Sequence, residues 1–158
     1  MKKAFFTLIA VIGSLSAFSQ SMPNVDSVKL ATGADYRAAE PVALQVSAYI
    51  LSTPADDKSI PRLHGTKFLL EWMGGTPDYT FDLDKNVIKY FAKDLDLMGV
   101  YTASLASAAI ENKTIKDAKA ITALAVKKFV AYISIDSNKV NLNSKLKKMI
   151  EASQKGEI

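Results

Sequence analysis

The side chains able to do chemistry are few and scattered. His64, in "RLHGTK", is the only histidine, and the chain has no cysteine. Neither a histidine-rich metal site nor a thiolate centre can be assembled from that inventory. A general base at His64 would need a nucleophile beside it, and no nucleophile motif accompanies it, so it reads as a surface histidine near a helix start. Ser104 and Ser107 lie in "TASLASAA", inside a helical pattern rather than on a "GxSxG" elbow, and read as packing residues. Asp82, Asp84 and Asn86 copy the first three ligand positions of a calcium-binding hand. The glycine such a loop requires falls at Val87 and the closing glutamate at Lys93, so Asp84 is better read as a helix N-cap. Gly74 and Gly75 follow a helix instead of preceding one, and no "GK[ST]" comes after them, which removes the phosphate-cradle reading. No catalytic, cofactor-binding or metal-ligating residue is expected. The enzyme alternative rests on carboxylates such as Asp78 and Asp82 meeting only in three dimensions.

One stretch has a different chemistry. "EWMGGTPDYTF", residues 71 to 81, holds the chain's single tryptophan, Trp72, with Tyr79 and Phe81 close behind. Such crowding serves either core packing or a patch that contacts a partner, and Trp72, Tyr79 and Phe81 are the candidate contact residues. Gly74, Gly75 and Pro77 are read as a structural turn, with Gly74 in the left-handed position that closes a helix.

The elements that must position these residues are helices. Val42, Val46, Tyr49 and Ile50 form an apolar stripe, with Pro41 in the first turn and Pro54 in the loop beyond. A second helix opens near Ile60–Pro61 and sets Leu63, Leu70 and Met73 close to one face, with Phe68, Leu69 and Trp72 beside it. Ile88, Phe91, Leu95, Met98, Thr102, Leu105 and Ala109 keep a 3-4-3-4 spacing. Unbroken from Asp84 to Glu111, that helix would be about 42 Å long, with Gly99 and the Asp94/Asp96 pair as places for a bend or break. Thr114 and Asp117 suggest a cap for a fourth helix carrying Ala118, Ile121, Ala125, Phe129 and Ile133. After the turn "DSNKVN" a fifth carries Leu142, Leu146, Met149 and Ile150 and ends at Gly156. Strand-like alternation is confined to "YTFDL" and "YISI". The expected fold is an all-α, single-domain bundle of about five helices.

The chain begins "MKKAFFTLIAVIGSLSAFSQ", a basic start, a short apolar run, and small residues at Ala17 and Ser19. That is the pattern of a cleavable signal peptide over residues 1–19, cut after Ser19, and the run is too short for a bilayer span. The expected mature form has no membrane span and is periplasmic or secreted. Residues 20–39 read as a lead-in segment of uncertain order and 40–158 as the helical domain. Removing the two leader lysines lowers the formal net charge from +4 to +2. Residues 20–111 carry 8 basic and 12 acidic side chains, whereas residues 112–158 carry 10 and 4. All ten basic residues there are lysines, without arginine forks or interleaved aromatics, which favours a solvated helix face over a nucleic-acid partner.

"FLLEWMGGTPDYTF", "LMGVYTASLASAAIENK" and "NLNSKLKKMIEASQKG" together resemble an uncharacterised family of small secreted Bacteroidetes helical proteins. The resemblance covers most of residues 48–156, and the leader ending "AFSQ" is similar to leaders in that group. "DSV" at Asp26–Val28 resembles the short O-glycosylation acceptor of secreted Bacteroidetes proteins. A fainter likeness is to helical HdeA-like and related immunity proteins, in the order Gly99-Val100, a helix ending near Tyr132, and Leu142 to Ile150. The resemblance implies an exported helical protein and brings no activity with it. The expectation is a non-enzymatic protein that binds another envelope or secreted protein, with an HdeA-like periplasmic binder as the alternative.

Overall fold

The structure, a computed structural model, describes residues 21–158. The expected leader and its cut after Ser19 lie outside the described residues, as does Gln20. Six α-helices and one 3-10 turn follow one another, with no strand among the described residues: α1 Gly33–Ser52, α2 Ile60–Gly75, α3 Lys85–Ile88, α4 Leu95–Glu111, α5 Ala118–Ile133, the 3-10 turn Asp136–Asn138, and α6 Ser144–Lys155. The expected all-α single domain is found.

Each α-helix starts on a side chain that accepts from an amide of its first turn. Thr32 and Asp35 form a reciprocal capping box, so α1 begins at Gly33 and not near Pro41, which sits inside the helix. The expected lead-in therefore ends at Thr32. Asp84 caps α3 and Asn143 caps α6. For α5 the cap is Asp117, which accepts from the Lys119 amide, and not Thr114. The third apolar stripe is interrupted between Ile88 and Leu95, at the Asp94/Asp96 pair expected as a place for a break: Asp94 accepts from the Leu97 amide and starts a new helix there.

α4 is the hub. Every residue from Gly99 to Ile110 is buried, as a helix apolar on all sides requires. It packs against α1, α2 and α5, and α6 lies on α5 through Leu146 and Met149. A Cβ on Gly99 would collide with Thr66 of α2, so glycine sets how closely these helices approach. Phe91, Tyr101 and Phe129 meet in the interior, with the Phe91 and Phe129 rings 4.6 Å apart. The Tyr101 hydroxyl in this cluster is buried without a hydrogen-bond partner among the described residues. Tyr101→Phe should therefore leave the unfolding free energy, read by urea titration, unchanged or raise it by up to about 1 kcal/mol.

Two expectations about α2 are overturned. Leu63 and Leu70 point to solvent, while Arg62, Gly65, Phe68, Leu69 and Trp72 form the buried face. The helix is apolar on both sides, so spacing alone could not choose between faces. Gly74 is not left-handed either; Gly156, closing α6 at φ 72°, is the only positive-φ glycine among the described residues. A Cβ at Gly74 would meet nothing within 4 Å, whereas one at Gly75 would run into the Tyr36 ring. Gly74→Ala should raise stability by about 0.4–1 kcal/mol through the unfolded chain. Gly75→Ala should lower it by about 1–3 kcal/mol, because Tyr36 must move. Thermal melts of the two variants read the contrast directly.

Candidate functional site

The aromatic turn is stapled to α1. Trp72 is 0% exposed, and its Nε1–H donates to the Tyr36 carbonyl at 2.9 Å. Tyr79 and Phe81, both half-buried, pack against it with tilted rings, their centroids 5.8 and 6.1 Å away. The Tyr79 hydroxyl donates to Glu40 at 2.7 Å, and Glu40 also receives the Lys113 ammonium. Burial and that hydrogen bond push the Tyr79 phenol above its ordinary range. Gly33 and Pro77 meet at the start of α1. As a partner contact Trp72 is corrected: it has no surface to offer, and Tyr79 and Phe81 are each partly buried against the core.

The structure does not set Asp78 and Asp82 up as a reactive pair. Asp78 is gripped by Arg37 through a two-pronged contact, Nε to Oδ2 at 2.8 Å and Nη2 to Oδ1 at 3.0 Å. The Asp82 side chain is exposed, and its carbonyl accepts from Thr122 at 3.4 Å. Ser104 and Ser107 donate to the Val100 carbonyl and to Glu111. His64 is exposed on α2. No group of three or more His, Asp or Glu able to hold a metal ion occurs among the described residues, and no helix among them is long and apolar enough to cross a membrane.

Hydrogen bonds from Arg37 hold the Asp78 carboxyl below its usual range. Burial alone would raise Glu111, but Lys128 and Ser107 bring it below its usual range as well. Both carboxyls bind protons less readily folded than unfolded, so their contribution is intact above the ordinary carboxylate range and is lost as pH falls through the folded values. The urea midpoint should drop between about pH 5 and about pH 3, and Asp78→Asn should flatten part of that drop.

At the opposite end of the bundle lies a feature that spacing did not reveal. Arg62, in the first turn of α2, is 3% exposed. Its Nε and Nη2 donate to the two oxygens of Asp96 at 2.6 and 3.0 Å. Nη1 donates to the carbonyls of Ile50 and Thr53 and to Thr53 Oγ1, at 2.9, 3.1 and 2.7 Å. The Tyr132 hydroxyl donates to the Thr53 carbonyl at 2.8 Å. One guanidinium thus joins the ends of α1 and α5 to the starts of α2 and α4. The chain's two arginines, 37 and 62, are both spent on fork-to-carboxylate pairs.

In front of this clamp opens a cleft of about 620 Å³. Asp56, Asp57 and Asp94 supply negative charge and Lys93 and Lys139 positive charge, with Leu95 and Val140 as apolar wall. Lys139 also borders an adjoining cleft of about 350 Å³ that reaches Arg62. It holds φ at 57°, the only non-glycine residue in the left-handed region among the described residues. Leu95, one residue from the clamped Asp96, is 71% exposed. Comparison of the chain with protein-family models, with curated proteins and with solved structures finds no match. No hydroxyl, thiol or imidazole lines the larger cleft; its walls offer carboxylates, ammonium groups and an apolar surface. The signal in the sequence was an arginine set among apolar residues in "IPRLHG", which no periodicity rule weighs.

Proposed function

We propose that the protein is a non-catalytic helical binding module of the periplasm or extracellular space, and that it engages another envelope or secreted protein through the end of the bundle around Leu95. The observation that supports this reading is a large apolar side chain standing clear at the rim of a charged cleft, one residue from a buried ion pair. Ile60 and Ile135, also exposed, belong to the same end of the bundle. An apolar anchor ringed by charges of both signs is the arrangement in which a few residues dominate association. The exported location rests on the leader pattern.

The test is affinity capture from native envelope or culture fluid, with the chain from Gln20 as bait beside the same chain carrying Leu95→Asp or Lys139→Glu. A partner retained by the parent bait and lost from the Leu95→Asp bait, with melting of the two baits unchanged, is the expected result. An identical captured set from all three baits would overturn the reading.

A further inference from the structure

A second cleft adjoins the one beside Leu95. It holds about 440 Å³ and lies between the α3–α4 connection, which supplies Lys89 and Lys93, and the start of α6, which supplies Lys145. Phe91, buried, and Tyr90, half-buried, give it an apolar lining. Lys93 and Asp94 line both clefts. The chain from Lys139 to Asn141 borders the first and the chain from Asn143 to Lys145 the second, so the two form one trough.

Charge sorts along this trough. Beside Leu95 the carboxylates of Asp56, Asp57 and Asp94 outnumber the ammonium groups of Lys93 and Lys139. In the second cleft three lysines meet one carboxylate, Asp94, whose Oδ1 already accepts from the Leu97 amide. Lys89, Lys93 and Lys145 are all exposed, and none forms an ion pair among the described residues. The Lys89 ammonium lies over the Tyr90 ring, 5.1 Å from its centre. Asn143 already accepts the Lys145 and Leu146 amides, so the positive potential comes from the ammonium groups and not from an open helix end. Like charges gathered around a concave apolar surface repel one another until an anion enters.

A run of carboxylates on an extended chain fits this arrangement. Ammonium groups spread along a trough can meet successive acidic side chains, whereas without an arginine fork there is no two-pronged seat for a single phosphate. A path that continues to Leu95 also calls for a ligand longer than a small anion. We propose that the partner segment lying over Leu95 continues past Lys93 into the second cleft, and that the part lying there is an extended polypeptide stretch rich in aspartate and glutamate. The proposal rests on the reading of the Leu95 end as the recognition surface.

The probe is a hexaglutamate peptide, titrated into the chain from Gln20 at about 20 mM salt and followed by backbone amide NMR shifts. Saturable shifts should concentrate at residues 89–94 and 143–145, with a dissociation constant on the order of 1 mM or tighter, and should weaken at least about fivefold at about 0.2 M salt. Lys89→Glu with Lys145→Glu should abolish saturation. Lys119→Glu with Lys127→Glu, the same change of net charge at exposed positions of α5, should leave it intact. Far-UV circular dichroism should be unchanged in both double variants. Equal loss from the two pairs would mean diffuse attraction and would overturn the proposal. So would no saturation by hexaglutamate, whether or not inorganic phosphate or vesicles containing phosphatidylglycerol bind. The underlying reading fails separately: an unchanged captured set from the Leu95→Asp bait sinks it. A Leu95-dependent partner that the Lys89→Glu/Lys145→Glu bait retains equally sinks only the acidic-segment proposal.

Discussion

Replacing Arg62 with alanine is expected to cost the folded state about 3–5 kcal/mol, a large part of the 5–15 kcal/mol that holds a domain of this size together. The loss comes less from the attraction removed than from what is left behind. The Asp96 carboxylate, 8% exposed, would remain without its fork, and the Ile50 carbonyl would lose its side-chain donor. Arg62→Lys should recover only part, because one ammonium cannot span the two Asp96 oxygens and the Thr53 acceptors together. The double change Arg62→Met with Asp96→Leu removes the uncompensated charge and should be milder than Arg62→Ala, although the Thr53 and Ile50 carbonyls keep it below the parent. Urea unfolding of the four proteins, followed by far-UV circular dichroism, ranks them. A loss below about 1 kcal/mol for Arg62→Ala would mean that the guanidinium is solvated and that no clamp joins the four helix ends. The consequence for binding follows from position: Leu95 adjoins Asp96, so loosening the clamp should weaken partner capture even where the fold survives.

Helix identity was legible in the sequence because it rests on periodicity, and the interior of α4 and α5 repeats it strictly: Leu105, Ala109, Ile121, Ala125, Phe129 and Ile133 are all buried. Helix ends were less legible, because caps are decided by single side chains. Thr32 with Asp35 outweighed Pro41 as a start signal, and Asp94 cut a continuous apolar pattern in two. The facing of α2 was not legible at all. With Leu63 and Leu70 on one side and Phe68, Leu69 and Trp72 on the other, hydrophobicity was nearly balanced, and the choice fell to a polar residue. Arg62 has a partner in Asp96, 34 positions away, and no local rule connects them. The cleft beside Leu95 was hidden for the same reason, since its charges come from the α1–α2 loop, the start of α4 and the turn after α5.

The same tertiary logic makes Trp72 the most sensitive apolar position. Trp72→Ala should cost about 3–5 kcal/mol, because a fully buried indole leaves a cavity that neighbouring helices can only partly close. Two further losses act together with the cavity. The Tyr36 carbonyl loses its indole donor, and Tyr79 and Phe81 lose the ring against which both pack. Tyr79 is tied to Glu40 and Asp78 to Arg37, so slackening the turn should also loosen the first half of α1. Trp72→Phe separates these terms: it keeps an aromatic ring in the cluster and deletes the donor, and should cost roughly half as much. Trp72 is the chain's only tryptophan, so its fluorescence in the parent reports unfolding at this turn, and far-UV circular dichroism compares the parent with both variants. The partner-contact reading of Trp72 makes the opposite forecast: Trp72→Ala would leave the melting temperature unchanged and abolish capture. A stability loss of several kcal/mol, with the Leu95→Asp bait alone losing its partner at unchanged stability, would place packing at one end of the bundle and recognition at the other.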